Sequence, residues 1–393
     1  MYKIKTLNKI SKVGLANLDL TKYTCGDNEE AADGILVRSA AMHDYEFNPE
    51  LKGIARAGAG VNNIPLDRCT EAGIAVFNTP GANANGVKEL AVCGMLLACR
   101  DVVGGVNWVK ANKDEEGIAK LVEKEKSKFA GTEVAGKTLG IIGLGAIGGP
   151  LANAAVALGM KVIGCDPYMS VDAALKINSA VTKVDSREEV FAKADFISVH
   201  TPLIDNADPK IRTKHMINKD TIALMKDGVI VLNFARDALV NDDDMEEALK
   251  SGKVRRYVTD FPNARTAGME GIIAIPHLGA STEESEDNCA VMAVKELTDF
   301  IENGNTVNSV NFPNVSCERS CGTRICVLHK NIPNMISVMA SACGELGLNI
   351  EHMQSKSKGE ISYAIIDLNE VVDATAIVAK LQSVDGIMNV SIR

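Results

Sequence analysis

A glycine-rich stretch near the middle of the chain constrains the fold most. Residues 137–148 read Lys-Thr-Leu-Gly-Ile-Ile-Gly-Leu-Gly-Ala-Ile-Gly. Their apolar part, Thr138–Ile142, predicts a buried strand, and Gly143, Gly145 and Gly148 then form Gly-x-Gly-x-x-Gly at the start of a helix predicted over 146–158. In this pattern the first glycine permits a tight turn, the second lets a pyrophosphate approach the backbone, and the third lets helix and strand pack closely.

An acid after the next strand indicates which dinucleotide binds. A second strand is predicted over Lys161–Cys165, and Asp166 follows it at the distance expected for a carboxylate that binds both ribose hydroxyls. Because this carboxylate would repel a 2′-phosphate, the sequence favours NAD over NADP. The predicted cofactor residues in this region are Gly143, Gly145, Ala146, Ile147, Gly148 and Asp166.

The order of strands and helices predicts an α/β protein with three parts. Strands are predicted over 138–142, 161–165, 195–199, 228–233, 256–259 and 272–275, with intervening helices, and this indicates a Rossmann-type doubly wound parallel sheet. Residues 1–82 predict a smaller flavodoxin-like α/β domain with strands over 34–37, 53–55 and 74–77. The order strand, helix, strand, strand, helix, strand over 323–393 is ferredoxin-like.

We therefore expect a substrate-binding domain over 1–85, completed by 280–310, and an NAD-binding domain over 86–279. A linker is expected over 311–322 and a βαββαβ domain over 323–393. The apolar segment 86–110 predicts one long helix that bridges two domains, the charged segment 113–128 an exposed helix or loop, and 282–303 another long helix.

Composition excludes several classes of function. The net charge of −9 over 393 residues argues against binding to a nucleic-acid backbone. No apolar run reaches the roughly 18 residues of a membrane span, and the N-terminus lacks a signal-peptide core. Ten scattered cysteines indicate reduced thiols in a cytoplasmic protein. Cys317, Cys321 and Cys326 lack metal-site spacing, so no metal is expected.

Polar residues fall at or just past the ends of the predicted strands, where ligands of open α/β sheets bind. His277 is the best general base, because histidine titrates near neutral pH, and Arg236 is the best clamp for a carboxylate. Arg38 and Arg56, at neighbouring strand ends, could hold an anionic substrate. The loop His200-Thr201-Pro202 suits contact with the cofactor.

Several motifs resemble the D-isomer-specific 2-hydroxyacid dehydrogenase family. They are Asn-Phe-Ala-Arg-Asp-Ala-Leu-Val (233–240), Val-His-Thr-Pro-Leu (199–203) and Pro-His-Leu-Gly-Ala-Ser-Thr-Glu-Glu (276–284). Val-Arg-Ser-Ala (37–40), Ala-Arg-Ala-Gly-Ala-Gly-Val-Asn-Asn (55–63) and Asn-Thr-Pro-Gly-Ala-Asn (78–83) resemble the branch that oxidises 3-phosphoglycerate. The C-terminal unit is similar to the ACT domain of that branch.

The resemblance implies oxidation of 3-phosphoglycerate by NAD to 3-phosphohydroxypyruvate, the first step of serine synthesis. It implies that Arg236 binds the substrate carboxylate and that His277 takes the hydroxyl proton. The remaining implied roles are substrate placement by Arg38, Ser39, Arg56 and Asn83, and contact with the nicotinamide by Ala235, Asp260 and Gly279.

The resemblance also implies an effector site and an assembly. His329, Asn331 and Asn349 match positions that hold L-serine in serine-inhibited members, although Asn334 stands where the family usually has glycine. The alternative to serine binding is that the C-terminal unit serves only for dimerisation. Pairing of ACT units makes a homodimer or homotetramer the expected state.

The sequence departs from the family at one catalytic position. Members usually place a glutamate about five residues after the acid at position 260, where it orients the histidine, and here that place is held by Arg265. Either another acid supports His277, with Glu270 nearest in sequence, or the base is unassisted.

Two other functions are alternatives to the oxidation of 3-phosphoglycerate. They are a hydroxypyruvate or glyoxylate reductase of the same family and a non-enzymatic NAD-sensing protein on the same fold.

Overall fold

The computed structural model describes residues 1–320 and 322–393, so Cys321 of the cysteine cluster lies outside the described residues. Over this range the strands, in chain order, are β1 (Tyr2–Thr6), β2 (Tyr23–Gly26), β3 (Gly34–Val37), β4 (Gly53–Arg56), β5 (Ala75–Phe77), β6 (Thr138–Ile142), β7 (Lys161–Cys165), β8 (Thr182–Lys183), β9 (Phe196–Val199), β10 (Val229–Asn233), β11 (Val254–Thr259), β12 (Ile272–Ala274), β13 (Arg324–Lys330), β14 (Ile350–Lys358), β15 (Ile361–Leu368) and β16 (Ile387–Ile392).

The α-helices alternate with these strands through most of the chain. Over the same described residues they are α1 (Lys12–Leu15), α2 (Leu66–Glu71), α3 (Ala84–Cys99), α4 (Val102–Ala111), α5 (Ile118–Glu125), α6 (Gly148–Ala157), α7 (Val171–Ala174), α8 (Arg187–Lys193), α9 (Lys219–Leu224), α10 (Asp242–Lys250), α11 (Glu283–Asn303), α12 (Met335–Glu345) and α13 (Thr375–Gln382).

The chain divides into two compact units. One comprises residues 1–83 and 283–393, and the other comprises 84–282. The tail after residue 323 does not separate as a third unit, because Phe312, Leu328 and Tyr363 share a core cluster with Phe77 and Phe300. Burial of these aromatic rings joins the tail to the N-terminal sheet and to α11.

The unit of 84–282 is built on a seven-stranded parallel sheet. Its strand order is β12-β11-β10-β9-β6-β7-β8, which confirms the predicted Rossmann-type sheet. Nearly every residue of β6, β9 and β10 is buried, as expected for strands covered on both faces. The order reverses beside β6, so the ligand crevice is expected beyond the carboxyl end of that strand.

The prediction of one long helix over 86–110 is wrong. Two helices, α3 and α4, fill this segment, and the break falls at Arg100 and Asp101. The Asp101 side chain accepts a hydrogen bond from the Gly104 N–H at 3.0 Å and so caps the start of α4. The apolar periodicity runs across this cap, which is why the pattern alone predicts a single helix.

The unit of 1–83 and 283–393 contains two sheets. The first has the parallel order β2-β1-β3-β4-β5, and the second has the antiparallel order β14-β15-β13-β16. These orders are flavodoxin-like and ferredoxin-like, as predicted. Strands β1 and β2 are not among the predicted strands, because neither Tyr2–Thr6 nor Tyr23–Gly26 carries a continuous apolar run.

Candidate active site

The glycine-rich loop connects β6 to α6 and has the shape that a pyrophosphate requires. Gly143 has φ of +92°, and a Cβ atom on it would lie 2.5 Å from the His200 carbonyl oxygen. A Cβ on Gly148 would lie 1.9 Å from the Gly143 carbonyl oxygen, whereas a Cβ on Gly145 would meet no atom within 4 Å. The outer glycines therefore serve close packing, and Gly145 leaves the approach to the N-terminus of α6 open.

Asp166 directly follows β7 and anchors the glycine-rich loop. Its carboxylate accepts hydrogen bonds from the Leu144 N–H at 2.9 Å and from the Tyr168 N–H at 2.9 Å. Each oxygen keeps a second lone pair for a ribose hydroxyl. Ala146 and Ile147 complete the turn before α6, and Ala146 is exposed. These features fit a bound NAD.

The loop after β9 lies directly against the glycine-rich loop. The His200 N–H donates to the Ile142 carbonyl at 2.8 Å, and the His200 Nε2 atom lies 2.8 Å from the Ser198 hydroxyl. Burial lowers the pKa of His200 to about 4, so its imidazole is neutral near pH 7. A Cβ on Gly143 would lie 3.2 Å from the methyl carbon of Thr201, so this segment, in which Pro202 comes next, lies beside the glycine-rich loop.

Asp260, at the end of β11, fixes the loop that bears His277. Asp260 is 2% exposed, and its carboxylate accepts hydrogen bonds from the Leu278 N–H at 2.7 Å and the Gly279 N–H at 2.8 Å. Burial raises the pKa of this carboxyl group, and the two backbone donors and nearby His277 partly offset that effect. His277 itself has φ of +53°, a strained conformation that such anchoring maintains.

Arg236 follows the buried end of β10. The Asn233 side chain donates to the Arg236 carbonyl at 2.8 Å and accepts from the Ala235 N–H at 3.2 Å, so one amide fixes the loop. Ala235 is buried, while the Arg236 side chain is exposed. The guanidinium carbon of Arg236 lies 5.7 Å from the ring centre of Phe261, and the His277 ring centre lies 4.5 Å from that same ring centre. Both predicted catalytic side chains thus contact one aromatic ring.

No carboxylate bonds to the His277 imidazole among the residues that the structure describes. Arg265, at the position where the family resemblance implies glutamate, is exposed and pairs with Asp243 and Glu246 of α10. Glu270 is also exposed and makes no described contact with His277. The sequence analysis assigns no role to Phe261, although the missing glutamate indicates that the support of the base is altered.

The predicted substrate residues of the other unit lie at the ends of β3 and β4. Val37 pairs with Arg56, and the Arg56 Nε–H donates to the Arg38 carbonyl at 2.9 Å. The side-chain Oδ1 atom of Asn8, a residue that the sequence analysis does not single out, accepts hydrogen bonds from the backbone N–H groups of Arg38, Ser39 and Ala40. The two arginines are thus neighbours, and Ser39 and Asn83 lie in the loops after β3 and β5.

Arg38 has an acidic partner in the same unit. Its guanidinium forms an ion pair with the Glu286 carboxylate of α11 at 2.6 Å, and both side chains are more than 40% exposed. The sequence gives no signal for this pair, because its members lie 248 positions apart in the chain and meet only in the folded structure.

The predicted effector residues do not converge within one chain. His329 is buried and Asn331 is exposed, and both lie at the end of β13 near the β14–β15 turn. Asn349 precedes β14 and bonds to Asn369, at the opposite end of the sheet. The nine residues of β15 and its flanks that separate the two ends span about 30 Å, so His329 and Asn331 lie far from Asn349 within one chain.

Comparison with known proteins assigns the family. Residues 92–279 match the family described as D-isomer specific 2-hydroxyacid dehydrogenase, NAD binding domain. D-3-phosphoglycerate dehydrogenase of Haemophilus influenzae is 31% identical over 97% of this chain and 92% of its own length. The chain belongs to the D-isomer-specific 2-hydroxyacid dehydrogenase family. Its cofactor is NAD, and the glycine-rich loop described above lies in the matched domain.

Two other similarities bear on the site. Hydroxypyruvate reductase of Thermotoga maritima is 37% identical over 67% of this chain and 83% of its own length. An NAD⁺-bound 3-phosphoglycerate dehydrogenase structure from Entamoeba histolytica matches with a TM-score of 0.58 and 26% identity, over 79% of this chain and 98% of that one. Several other curated phosphoglycerate dehydrogenases are longer, and the chain spans only 58% to 66% of their length.

The described residues add two further findings. None of their helices is both long and apolar enough to cross a membrane. They also contain no group of three or more histidine, cysteine, aspartate or glutamate side chains placed to hold a metal ion.

Proposed function

We propose that this protein oxidises 3-phospho-D-glycerate to 3-phosphohydroxypyruvate with NAD, the first step of L-serine biosynthesis. The observation that carries the proposal is the pair Arg38 and Arg56 at neighbouring strand ends, since two guanidinium groups suit a phosphate dianion. The Haemophilus influenzae relative, which the chain matches over nearly its whole length, bears the name of this activity. As part of the proposal the reaction takes place in the cytoplasm.

Each polar residue of the site has a role in this reaction. Arg236 binds the substrate carboxylate and polarises the adjacent C–O bond, and His277 accepts the hydroxyl proton at its imidazole. Ser39 and Asn83 help to place the phosphorylated substrate. A bound NAD would supply the acceptor for the hydride that leaves C2 of the substrate. Gly143, Gly145, Ala146, Ile147, Gly148, Asp166, His200, Thr201 and Pro202 bind the dinucleotide, and Ala235, Asp260 and Gly279 line the nicotinamide pocket.

Turnover on a panel of acids tests the proposal. NADH absorbance is followed with 3-phosphoglycerate and with D-glycerate, and the reverse reaction with hydroxypyruvate and glyoxylate. We expect kcat/KM to be highest for the phosphorylated acid and to be abolished by His277→Ala with NAD affinity retained. Strong residual activity of that variant would refute the base assignment.

A hydroxypyruvate or glyoxylate reductase is the second candidate function. The Thermotoga maritima hydroxypyruvate reductase, at 37% identity, supports it. Such an enzyme has no phosphate to bind, so Arg38→Ala would leave its kcat/KM for hydroxypyruvate nearly unchanged. Under the first proposal the same variant loses activity on 3-phosphoglycerate.

We further propose that the tail is an ACT-like regulatory domain at which L-serine inhibits the enzyme. His329 and Asn331 would supply one side of the site, and Asn349 of a second copy the other, because these residues lie at opposite ends of the sheet in one chain. A homodimer or homotetramer is then required. Millimolar L-serine should inhibit turnover and Asn331→Ala should relieve it, and an enzyme indifferent to serine would remove this proposal.

A further inference from the structure

The base of the proposed reaction lacks the acid partner that the family resemblance implies. Arg265 occupies the expected position, and its guanidinium pairs with the Glu246 carboxylate at 2.8 Å on α10. No hydrogen bond joins the His277 ring to a described residue, whereas the Phe261 ring lies against it. A hydrogen bond to a carboxylate therefore does not orient this imidazole, and the ring contact with Phe261 is the described interaction that can.

Phe261 makes contact with both catalytic side chains at once. Its ring centre is 4.5 Å from that of His277, with the two planes tilted by 49°, and 5.7 Å from the guanidinium carbon of Arg236. Both distances fall within the ranges of favourable ring–ring and cation–π contacts. The ring thus lies within contact distance of both the imidazole and the guanidinium.

The backbone on each side of this ring is anchored. The Phe261 N–H donates to the Thr259 hydroxyl at 3.1 Å, and the preceding Asp260 binds the N–H groups of Leu278 and Gly279. The two hydrogen bonds of Asp260 therefore connect the segment that bears the Phe261 ring to the segment that bears His277. In contrast, the described contacts leave the exposed Arg236 guanidinium only one hydrogen bond, to the Ala235 carbonyl at 2.6 Å.

We propose that Phe261 is a positioning residue, whose ring holds the His277 imidazole and the Arg236 guanidinium in their reactive arrangement in place of a carboxylate. The inference rests on the proposed function for its catalytic consequence. A π face attracts the imidazolium formed when His277 takes a proton, but it accepts no full hydrogen bond. The support is therefore mainly geometric, and a side chain of similar volume without a ring cannot supply it.

Substitution of the ring tests this role. Phe261→Leu keeps an apolar side chain and removes the π face, and Phe261→Tyr keeps the ring. Phe47→Leu is the matched control, because Phe47 is also half-buried and lies under an arginine, Arg68, at 5.0 Å, away from the catalytic residues. We expect kcat of Phe261→Leu to fall roughly tenfold or more, as a small misplacement of reacting groups does, with NAD affinity retained. Phe261→Tyr should retain the wild-type kcat, and Phe47→Leu should leave kcat unchanged.

A measurement without turnover separates this inference from the proposed function. In protein labelled at histidine 13Cε1, the His277 resonance is identified by its loss in His277→Gln. Removal of the Phe261 ring current should move that resonance in Phe261→Leu and not in Phe47→Leu. An unmoved resonance, or equal loss of kcat in the Leu and Tyr variants, would overturn the positioning role. If the wild type turns over no acid of the panel, the proposed function fails, and the resonance alone decides whether the ring orients His277.

Discussion

At the scale of single residues, the site depends on close approaches that only glycine permits. A Cβ on Gly279 would lie 2.9 Å from Asp260 Oδ2 and 3.2 Å from a methyl group of Val87. Gly279→Ala should therefore weaken the Asp260–loop hydrogen bonds and displace His277, lowering kcat by roughly tenfold or more and stability by about 1–3 kcal/mol.

Steady-state kinetics and urea unfolding check this expectation. Gly268→Ala is the matched control, because a Cβ at that exposed position meets no atom within 4 Å. Equal behaviour of the two variants would show that the close approach of Asp260 to the loop is unimportant for activity.

The ion pair of Glu286 with Arg38 leads to a second prediction about a single side chain. Its carboxylate pairs with Arg38 at 2.6 Å, so under the proposed function a substrate phosphate would compete with it for the same guanidinium. Exposed pairs of this kind are worth about 0.2–1 kcal/mol, and Glu286→Gln should therefore lower KM for 3-phosphoglycerate by up to about fivefold.

The change should depend on the phosphate. KM for D-glycerate should stay constant in Glu286→Gln, and Glu284→Gln, an exposed carboxylate on the same helix turn, should change neither value. An equal change for both substrates would mean that Glu286 acts on the site in some way other than competition for Arg38.

At the scale of elements, α11 contains a buried carboxyl group whose titration affects stability. Glu296 is 8% exposed; its Oε1 atom accepts from the Asn308 amide at 2.7 Å, while Oε2 is buried without a described partner. Burial raises the pKa of this carboxyl group from 4.5 to about 7. Between these values the unfolded chain loses its proton first, so the free energy of unfolding falls as pH rises from 4.5 to 7.

Glu296→Gln should remove this dependence. The variant should match the wild type below pH 4.5 and exceed its free energy of unfolding by up to about 3 kcal/mol above pH 7. Urea unfolding from pH 4 to pH 8 measures the difference, with Glu283→Gln, an exposed position on the same helix, as control. A constant difference between wild type and Glu296→Gln across this range would contradict the assignment.

The elements also show what sequence patterns can predict. The strands of the Rossmann-type sheet were predicted to within one or two residues wherever a buried apolar run exists, as in β6 and β10. The two-residue β8 is exposed throughout and leaves no such pattern. The sequence predicts that candidate site residues follow strands, as Asp166 follows β7 and Arg236 follows β10, but it gives no signal for the Phe261–His277 contact, since that contact depends on how two loops meet after folding.

At the scale of the whole molecule, one buried ion pair connects the tail to the rest of its unit. Arg324 and Asp367 are 0% and 1% exposed, and the guanidinium donates to both carboxylate oxygens at 2.6 and 2.7 Å. It also donates to the carbonyl groups of Asn303, at the end of α11, and of Cys317 and Glu318 in the segment before β13. A single side chain thus bonds to α11, to that connecting segment and to the antiparallel sheet.

Removal of this guanidinium should destabilise the unit that contains the tail. Arg324→Leu leaves the Asp367 carboxylate buried without its partner, which costs about 3–5 kcal/mol, whereas Lys22→Ala, which breaks an exposed pair with Glu302, should cost less than about 1 kcal/mol. The double variant Arg324→Leu/Asp367→Leu should recover much of the loss, because it leaves no unpaired charge. Urea unfolding of the four proteins separates the outcomes: a double variant no more stable than Arg324→Leu would show that the backbone carbonyl bonds, rather than the ion pair, make the connection.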